Sequence, residues 1–462
     1  MRYYLKHGLI VFLLFLVLLF GFWLWISQPD QARLGASAVT GRVPELGEIR
    51  EQSYPTMRIA PAKGWPNGGK PTPVDKKLQV AAFASGLDHP RWLYRLPNGD
   101  ILVAETNSPP RQVGGITGMV MGSLMKAAGA DAPSANRITL LRDTNGDGVA
   151  DQKSPLLTGL NSPFGMALVG DWLYVANTDA LVRFPFKPGQ TRITARPEKI
   201  IALSGGGNHW ARNVVPSADG KTLFVSIGSS SNIAENGLEA EKDRARILEV
   251  DPATKTSRVY AWGLRNVNGM AIEPDSKQLW AVVNERDMLG SDMPPDYLTQ
   301  VDFGTFYGWP WNFWGGYTDK RVQPERPDLL EYSRRPDFAL GPHVAPLGLA
   351  FANDARLGPD YARGAFIGLH GSWNREPLSG YKVIWVAFGD NGFPQGGAHP
   401  VDFLTGFLDK DGNALGRPVG VITDATGALL VADDVGNIIW RVSAITPQPA
   451  PSPTAATPAK PQ

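Results

Sequence analysis

One pattern of apolar and polar positions recurs six times between residues 75 and 445. Each copy has a loop rich in Gly, Pro or Asn, a short apolar segment, a turn, and a run of alternating hydrophobic residues; the copies begin near residues 86, 159, 209, 263, 346 and 417. Alternation predicts β-strands, and the chain between copies has room for two more strands per repeat. The pattern therefore predicts an all-β, six-bladed β-propeller, a ring that protects its sheet edges. A pair of β-sandwiches is the alternative, but it does not explain the sixfold recurrence.

A continuous apolar run precedes the repeats. Leu9 to Ile26 are 18 consecutive apolar or Gly residues, and Arg2 and Lys6 precede them. This length reaches the lower limit for a transmembrane helix, near 17–25 residues. We therefore predict a cytoplasmic basic segment and membrane anchor over residues 1–27, in the cell inner membrane with the following domain in the periplasm. A cleaved signal peptide is the alternative.

The segments that flank the repeats have little hydrophobic periodicity. Residues 28–74 carry many Pro, Gly and charged residues, which predicts a tether. Residues 446–462 are almost entirely Pro, Ala, Thr, Ser and Gln, which predicts a disordered tail. The propeller is thus predicted over residues 75–445. Within it, the Met- and Ala-rich stretch 118–129 is predicted to be a helical surface insertion between the first two repeats.

Charge and composition exclude several classes of function. A formal net charge of +1 gives no electrostatic reason to expect nucleic acid as a partner. The chain has no Cys, which excludes disulfides, thiolate zinc sites, iron–sulfur clusters and a Cys nucleophile. Redox chemistry would require an organic cofactor or a metal bound by oxygen or nitrogen.

One short motif predicts a calcium loop. Calcium prefers several oxygen ligands from a flexible turn, and the segment 143–151 supplies carboxylates, an amide and a backbone carbonyl at the spacing found at the start of such loops. The residue at the twelfth position is Ser154, not the Glu of an EF-hand, so we predict a structural hairpin site, with a ligand-free turn as the alternative. The predicted ligands are Asp143, Asn145, Asp147, Val149 and Asp151.

Basic and amide side chains recur in the loops that precede the predicted strands. His209, Arg265 with Asn266, Arg375 and Arg417 occupy comparable positions in different repeats. Propellers bring such loops to the mouth of the central channel. Several guanidinium groups at one axis would hold a ligand with carboxylates or phosphates.

Six segments in this order resemble the soluble pyrroloquinoline-quinone (PQQ) sugar dehydrogenases. The resemblance covers about residues 77 to 443, and one of the segments is most similar to the sorbosone dehydrogenase branch: Gly368-Leu369-His370-Gly371-Ser372-Trp373-Asn374-Arg375. The other segments are 209–225, 263–271, 284–287, 307–310 and 416–418.

The resemblance implies a propeller with PQQ across the channel mouth, held by arginines and Ca²⁺. His209 matches the general base that takes a proton from the sugar while hydride passes to PQQ, and Arg265 with Asn266 matches the pair at the quinone oxygen. Arg417 matches a cofactor-carboxylate arginine. The remaining cofactor candidates are Arg375 or Lys382 in place of the family's lysine, and Trp373 for ring stacking.

Two departures from the family pattern concern the cofactor and its ion. Val419 replaces a second arginine, and Asp287-Met288 replaces the Gly-Pro pair whose backbone carbonyls ligate calcium in better-known members. Asp287 and Met288 are therefore predicted metal ligands, with their carbonyls retained.

The leading hypothesis is a quinoprotein that oxidises an aldose or a sorbosone-like sugar aldehyde and passes electrons to a membrane quinone or cytochrome. Two alternatives stay open on the same fold: a calcium-dependent lactonase or esterase, and a non-catalytic carbohydrate-binding propeller.

Overall fold

The computed structural model describes residues 2–26, 30–52, 56–110, 115–352 and 354–446. The predicted tail lies outside the described residues from position 447 onward. The helices are α1 Arg2–Ile26 and α2 Gly115–Ala127, with short 3-10 helices at Leu238–Glu241, Pro327–Leu329 and Pro359–Tyr361. Among the described residues no helix is both long and apolar enough to cross a membrane, so the predicted membrane anchor is not supported.

The described chain contains twenty-seven strands. In chain order they are β1 Thr72–Pro73, β2 Leu78–Ser85, β3 Pro90–Arg95, β4 Ile101–Glu105, β5 Arg137–Arg142, β6 Gln152–Leu157, β7 Met166–Val169, β8 Trp172–Ala176, β9 Ala180–Pro185, β10 Glu198–Ala202, β11 Val214–Pro216, β12 Leu223–Ile227, β13 Arg246–Asp251, β14 Thr256–Trp262, β15 Val267–Ile272, β16 Leu279–Val283, β17 Pro295–Gln300, β18 Asn312–Phe313, β19 Tyr317–Thr318, β20 Phe338–Pro342, β21 Pro346–Phe351, β22 Gly364–Leu369, β23 Lys382–Ala387, β24 Val401–Thr405, β25 Pro418–Thr423, β26 Leu429–Asp433 and β27 Ile438–Ala444.

Twenty-four of these strands form six antiparallel blades around a channel, which confirms the predicted six-bladed propeller, and β18 and β19 pair with each other in a separate hairpin. From the inner strand outward, the blades are β3-β4-β5-β6, β7-β8-β9-β10, β11-β12-β13-β14, β15-β16-β17-β20, β21-β22-β23-β24 and β25-β26-β27-β2. The ring closes through blade 6, where β2 from the beginning of the domain pairs with β27 from its end. Because both ends of the domain share one sheet, blade 6 joins them and closes the ring.

The hydrophobic core lies between neighbouring blades. The second strand of most blades is buried along its whole length, as in β4, β12, β16, β22 and β26. Leu93 and Val103 of blade 1 pack with Val419 and Leu430 of blade 6, for example. These strands are buried on both faces, and this explains why they are continuous apolar runs at the end of each sequence repeat.

The segment between α1 and the propeller packs on the blades, which corrects the prediction of a tether. We call residues 30–52 and 56–74 the strap. Arg50 bonds Asp30 at 2.6 Å and Asp292 at 3.4 Å, while Trp65 donates to Asp433 at 2.6 Å. At its end, β1 adds a fifth strand to blade 5 by pairing with β24. Hydrogen bonds and ion pairs with residues distant in the sequence therefore hold the strap in place, although its own sequence has little hydrophobic periodicity.

The predicted helical insertion is confirmed as α2, between β4 and β5. The strap meets its end, because the backbone N–H of Ala62 donates to the carbonyl of Ala127 at 2.7 Å. The strap and α2 thus lie against each other above blades 1 and 6.

Candidate active site

Strand pairing brings most of the predicted site residues to one end of the channel. Pro90 pairs with Glu105, Pro346 with Leu369, and Pro418 with Asp433. Because the blades are antiparallel, the loop before each inner strand and the loop after each second strand lie at the same end, which we call the loop face. It carries His209, Arg265, Asn266, Asp287, Met288, Trp373, Arg375 and Arg417.

The contacts of His209 define its protonation geometry. Its Nδ1 lies 2.9 Å from the carbonyl oxygen of Ser229 and 2.8 Å from the Ser229 hydroxyl. That hydroxyl donates to the carbonyl of Ser231 at 2.7 Å, so it accepts from the imidazole. A carbonyl only accepts, which means that Nδ1 carries the proton. In the neutral ring the basic lone pair is therefore on Nε2, as a general base requires.

Buried arginines donate hydrogen bonds to the backbone of the loop that carries His209. Arg212 is fully buried and donates to the carbonyls of His209 at 2.8 Å and Ser204 at 2.6 Å. Burial and the neighbouring Arg244 lower the pKa of Arg212 to about 9. These contacts fix the backbone at the candidate base.

Asn266 lies directly beside His209, and a glycine makes this approach possible. A Cβ at Gly228 would lie 2.7 Å from both the His209 Cβ and the Asn266 Oδ1. The Asn266 Oδ1 is buried and has no hydrogen-bond partner among the described residues. The structure thus brings together the predicted base and one predicted cofactor contact, and leaves a polar atom there to be satisfied.

Arg265 is buried and bonded to its own surroundings. It donates to the Glu285 carbonyl at 2.7 Å and the Asn232 side chain at 2.9 Å, and its Nη2 lies 3.7 Å from Asp287. Burial lowers its pKa against the opposing effect of Asp287. Arg265 therefore contributes fixed positive charge behind Asn266.

The predicted calcium carbonyls at Asp287 and Met288 already have a cationic partner. The Arg321 Nη1 donates to both carbonyls, at 3.2 and 3.0 Å. The Asp287 side chain faces the His343 Nδ1 at 3.3 Å. Burial would raise the pKa of Asp287, but the hydrogen bond with His343 and the charge of Arg265 lower it. An ion at these carbonyls would compete with Arg321, a residue that sequence reasoning did not single out.

Three further cofactor candidates have different surroundings. Arg375 is buried and donates to the carbonyls of Ser291 at 2.9 Å and Pro377 at 2.6 Å, so it braces its own loop. The Lys382 Nζ lies 2.6 Å from Asp402 on the outer strand of blade 5. Trp373 is 37% exposed on the loop face, as a stacking ring requires.

Arg417 lies at the loop face under the strap. Its Nη2 donates to the Ala60 carbonyl at 3.2 Å, and its guanidinium lies 5.2 Å from the centre of the Tyr381 ring. Its buried Nε has no hydrogen-bond partner within the described ranges. The Arg417 Nε can therefore still donate a hydrogen bond, which fits the predicted role of Arg417 in binding a cofactor carboxylate.

A buried cluster centred on Asp434 was not predicted from the sequence. The Asp434 Oδ2 accepts from the Arg91 Nη1 and from the His370 Nε2, the latter at 2.9 Å. Burial opposes ionisation, but His370, His89 and Arg91 lower the pKa of Asp434 far below its usual value. Burial also lowers the pKa of His370 to about 4. The one feature of the sequence that could have indicated Asp434 is its position directly after the second strand of blade 6, which places it at the loop face.

The predicted calcium loop lies at the opposite end of the channel. It joins β5 to β6 beyond Arg142, whereas Arg137 is at the loop-face end of β5. Its carboxylates accept from the loop's own backbone, as when Asp143 bonds the N–H groups of Gly146 and Gly148 at 2.7 and 2.8 Å. Within the described ranges, no group of three or more His, Asp or Glu side chains is placed to hold a metal ion.

A sequence model of the TrAA12-like family matches residues 73–297 and 329–444, so the chain belongs to this family. The chain is 24% identical over 438 residues to the pyrroloquinoline quinone-dependent pyranose dehydrogenase of Coprinopsis cinerea, with 81% of this chain and 55% of that protein aligned. The chain thus spans about half the length of that relative.

Two solved structures have the same fold. The holo form of the pyranose dehydrogenase PQQ domain from Coprinopsis cinerea superposes with a TM-score of 0.65 at 20% identity, over 81% of this chain and 97% of that one. The calcium structure of the Trichoderma reesei carbohydrate-active enzyme family AA12 gives 0.66 at 18% identity, over 84% and 98%. The predicted resemblance to quinoprotein sugar dehydrogenases agrees with the name of the Coprinopsis cinerea protein, whereas the similarity to the sorbosone dehydrogenase branch is not confirmed.

Proposed function

We propose that the protein is a PQQ-dependent dehydrogenase that oxidises a sugar. The single observation that carries the proposal is the geometry at His209, where the Ser229 carbonyl fixes the proton on Nδ1 and leaves Nε2 as the base. The named relatives support the same activity, because the pyranose dehydrogenase and the superposed domain bear PQQ in their names.

The loop face has the side chains that such a cofactor needs. PQQ has three carboxylates, and Arg417 has an unpaired buried Nε while Arg91 has another in the described part of the chain. When bound, PQQ supplies the electron sink that accepts hydride from the sugar carbon. Asn266 and Arg265 would then lie beside the reacting end, where fixed dipoles and charge stabilise developing negative charge.

His209 acts on the sugar hydroxyl in this proposal. Its Nε2 takes the hydroxyl proton as the carbon loses hydride, and the Ser229 carbonyl stabilises the imidazolium through Nδ1–H. Arg212 and Gly228 keep the ring in this position.

The finer assignments extend this proposal. We propose an aldose or a sorbosone-like aldehyde as the substrate, Ca²⁺ as an accompanying ion, a location outside the cytoplasm, and a quinone or cytochrome as the electron acceptor. A calcium-dependent lactonase is less well supported, because such a hydrolase needs ligands that converge on one ion, and Arg321 already bonds the Asp287 and Met288 carbonyls at the loop face.

Calorimetric titration of cofactor-free protein with PQQ in calcium buffer tests the proposal. Arg417→Ala should raise the PQQ dissociation constant about 10- to 150-fold, since a hydrogen bond to a charged group contributes about 1.5–3 kcal/mol. Arg326→Ala is the matched control, because Arg326 is an exposed arginine paired with Asp328. Absence of PQQ binding by the folded wild-type protein would overturn the assignment.

A further inference from the structure

A cavity of about 450 Å³ opens between the strap, the loop after α2, and blades 1 and 6. Its volume is within the roughly 300–1,000 Å³ of small-molecule sites. The residues that form its floor and walls include Ala62, Asp88, His89, Gly129, Pro133 and Asp434. The cavity lies on the loop face, since His89 precedes β3 and Asp434 follows β26.

One buried polar atom at this cavity lacks a partner, and a second has only a long contact. His89 is 7% exposed and Asp434 2% exposed; the Asp434 Oδ1 makes no hydrogen bond within the described part of the chain, and the His89 Nε2 faces the Asp434 Oδ2 at 3.5 Å without a hydrogen bond. An unsatisfied buried polar group costs about 1–3 kcal/mol, so such groups mark a place where a ligand or water bonds. Two other cavities of similar volume, lined by Arg246 and by Arg335, have no such atom among their described lining residues.

The charges at the cavity favour a neutral ligand with hydroxyl groups. Asp434 and Asp88 supply carboxylate oxygens, which accept hydrogen bonds. The lining cation, Arg137, already bonds Glu105 at 2.6 Å and Asp88 at 2.7 Å. A polyanion such as the cofactor would meet two carboxylates here, whereas sugar hydroxyls would donate to them.

Arg91 links the cavity floor to the loop that carries the candidate base. Arg91 donates to Asp434, and its guanidinium lies 5.9 Å from the centre of the Trp210 ring. Trp210 follows His209 in the chain, so the Arg91 side chain contacts both Asp434 on the cavity floor and the loop of the candidate base.

We propose that this cavity binds the non-reacting hydroxyl groups of the sugar, with Asp434 and His89 bonding hydroxyls on the floor and Asp88 at the rim. The inference rests on the proposed function for its substrate class, and it adds a binding site that the sequence did not reveal. The small residues Ala62, Gly129 and Pro133 leave the space for the ring, and the strap and the loop after α2 form its walls.

Filling the cavity tests this inference. Ala132 lines it from the α2 side, and Ala132→Trp should raise the KM for D-glucose at least tenfold and leave the PQQ dissociation constant within twofold. Ala253→Trp is the matched control, because Ala253 is exposed in the β13–β14 turn at the opposite end of the channel. Asp88→Ala should raise the KM severalfold with kcat retained, and Glu331→Ala, an exposed carboxylate elsewhere, should not change it.

Direct sugar binding separates this inference from the proposed function. Saturation-transfer NMR with cofactor-free protein and D-glucose should give a contact signal for wild type and Ala253→Trp that is lost in Ala132→Trp. Equal signals and equal KM values in all three proteins would overturn the cavity site and leave the dehydrogenase proposal intact. The wild-type protein could instead fail to bind PQQ and still give a glucose signal that Ala132→Trp abolishes. That result would overturn the dehydrogenase proposal and retain the cavity site. No glucose signal for wild type would also overturn the cavity site.

Discussion

Individual residues at the loop face are held in specific ionisation states by their neighbours. His209 has its tautomer fixed by Ser229, Asp434 is kept anionic by arginine and imidazole, and Asp296 is the opposite case. The two Asp296 oxygens accept from the backbone N–H groups of Glu285 and Ala345, at 2.7 and 2.8 Å, but burial raises its pKa to about 7. Sequence alone predicted the residue types of the site but none of these states, because each depends on partners from another loop.

Asp296 predicts a pH-dependent stability. Its folded-state pKa is above the unfolded value of about 3.9, so its contribution is fully present below about pH 3.9 and is lost as pH rises through 7. The slope for one group is at most about 1.4 kcal/mol per pH unit. Urea unfolding at pH 5 and pH 8 should show wild type losing stability relative to Asp296→Asn at the higher pH. A difference between the two proteins that does not change with pH would contradict the account.

Elements of the structure differ in how far the sequence predicted them. The blades are signalled by local alternation, and α2 by its composition, so both were predicted within a few residues. The strap was not, because its position depends on single long-range contacts such as Trp65 with Asp433 and Ala60 with Arg417. Irregular segments of this kind have no period by which a sequence could reveal their packing.

Trp65 should anchor the strap. Its ring packs edge-on against Phe407 and Trp440, at centroid distances of 5.6 and 5.3 Å, and its Nε1 bonds Asp433. Trp65→Ala should lower the free energy of unfolding by about 3 kcal/mol, the lower end of the range for large aromatic truncations. Tyr332→Ala, at a residue that is 72% exposed, should change it by less than about 0.5 kcal/mol. Equal effects of the two substitutions in urea unfolding would mean that the strap is not docked as described.

The β5–β6 loop should affect stability and not turnover, because it lies at the end of the channel opposite His209. If it binds calcium, millimolar calcium should raise the melting temperature of wild type relative to chelator, and Asp147→Ala should abolish this increase. The Asp147 Oδ1 accepts from the Val149 N–H at 2.8 Å, so Asn145→Ala, which retains that bond, is a useful comparison. An unchanged calcium-induced shift in Asp147→Ala would place the ion elsewhere.

The whole molecule follows from the sixfold repeat. The ring closes through β2 and β27, and the strands of every blade pair antiparallel. Six sets of loops therefore lie on one face. Repeat position was therefore enough to predict that His209, Asn266 and Arg417 lie on the same face of the propeller. It was not enough to predict side-chain direction, as Lys382 pairing with Asp402 and Arg375 bonding Ser291 illustrate.

The most direct test of the central claim is the absorbance of PQQ bound to the protein when sugar is added in single turnover. The account predicts that the oxidised cofactor spectrum bleaches in wild type, and that His209→Asn binds PQQ equally well but bleaches at least about a hundredfold more slowly, the usual scale for loss of a general base. Bleaching of His209→Asn at the wild-type rate, or no bleaching in wild type with any aldose, would contradict it.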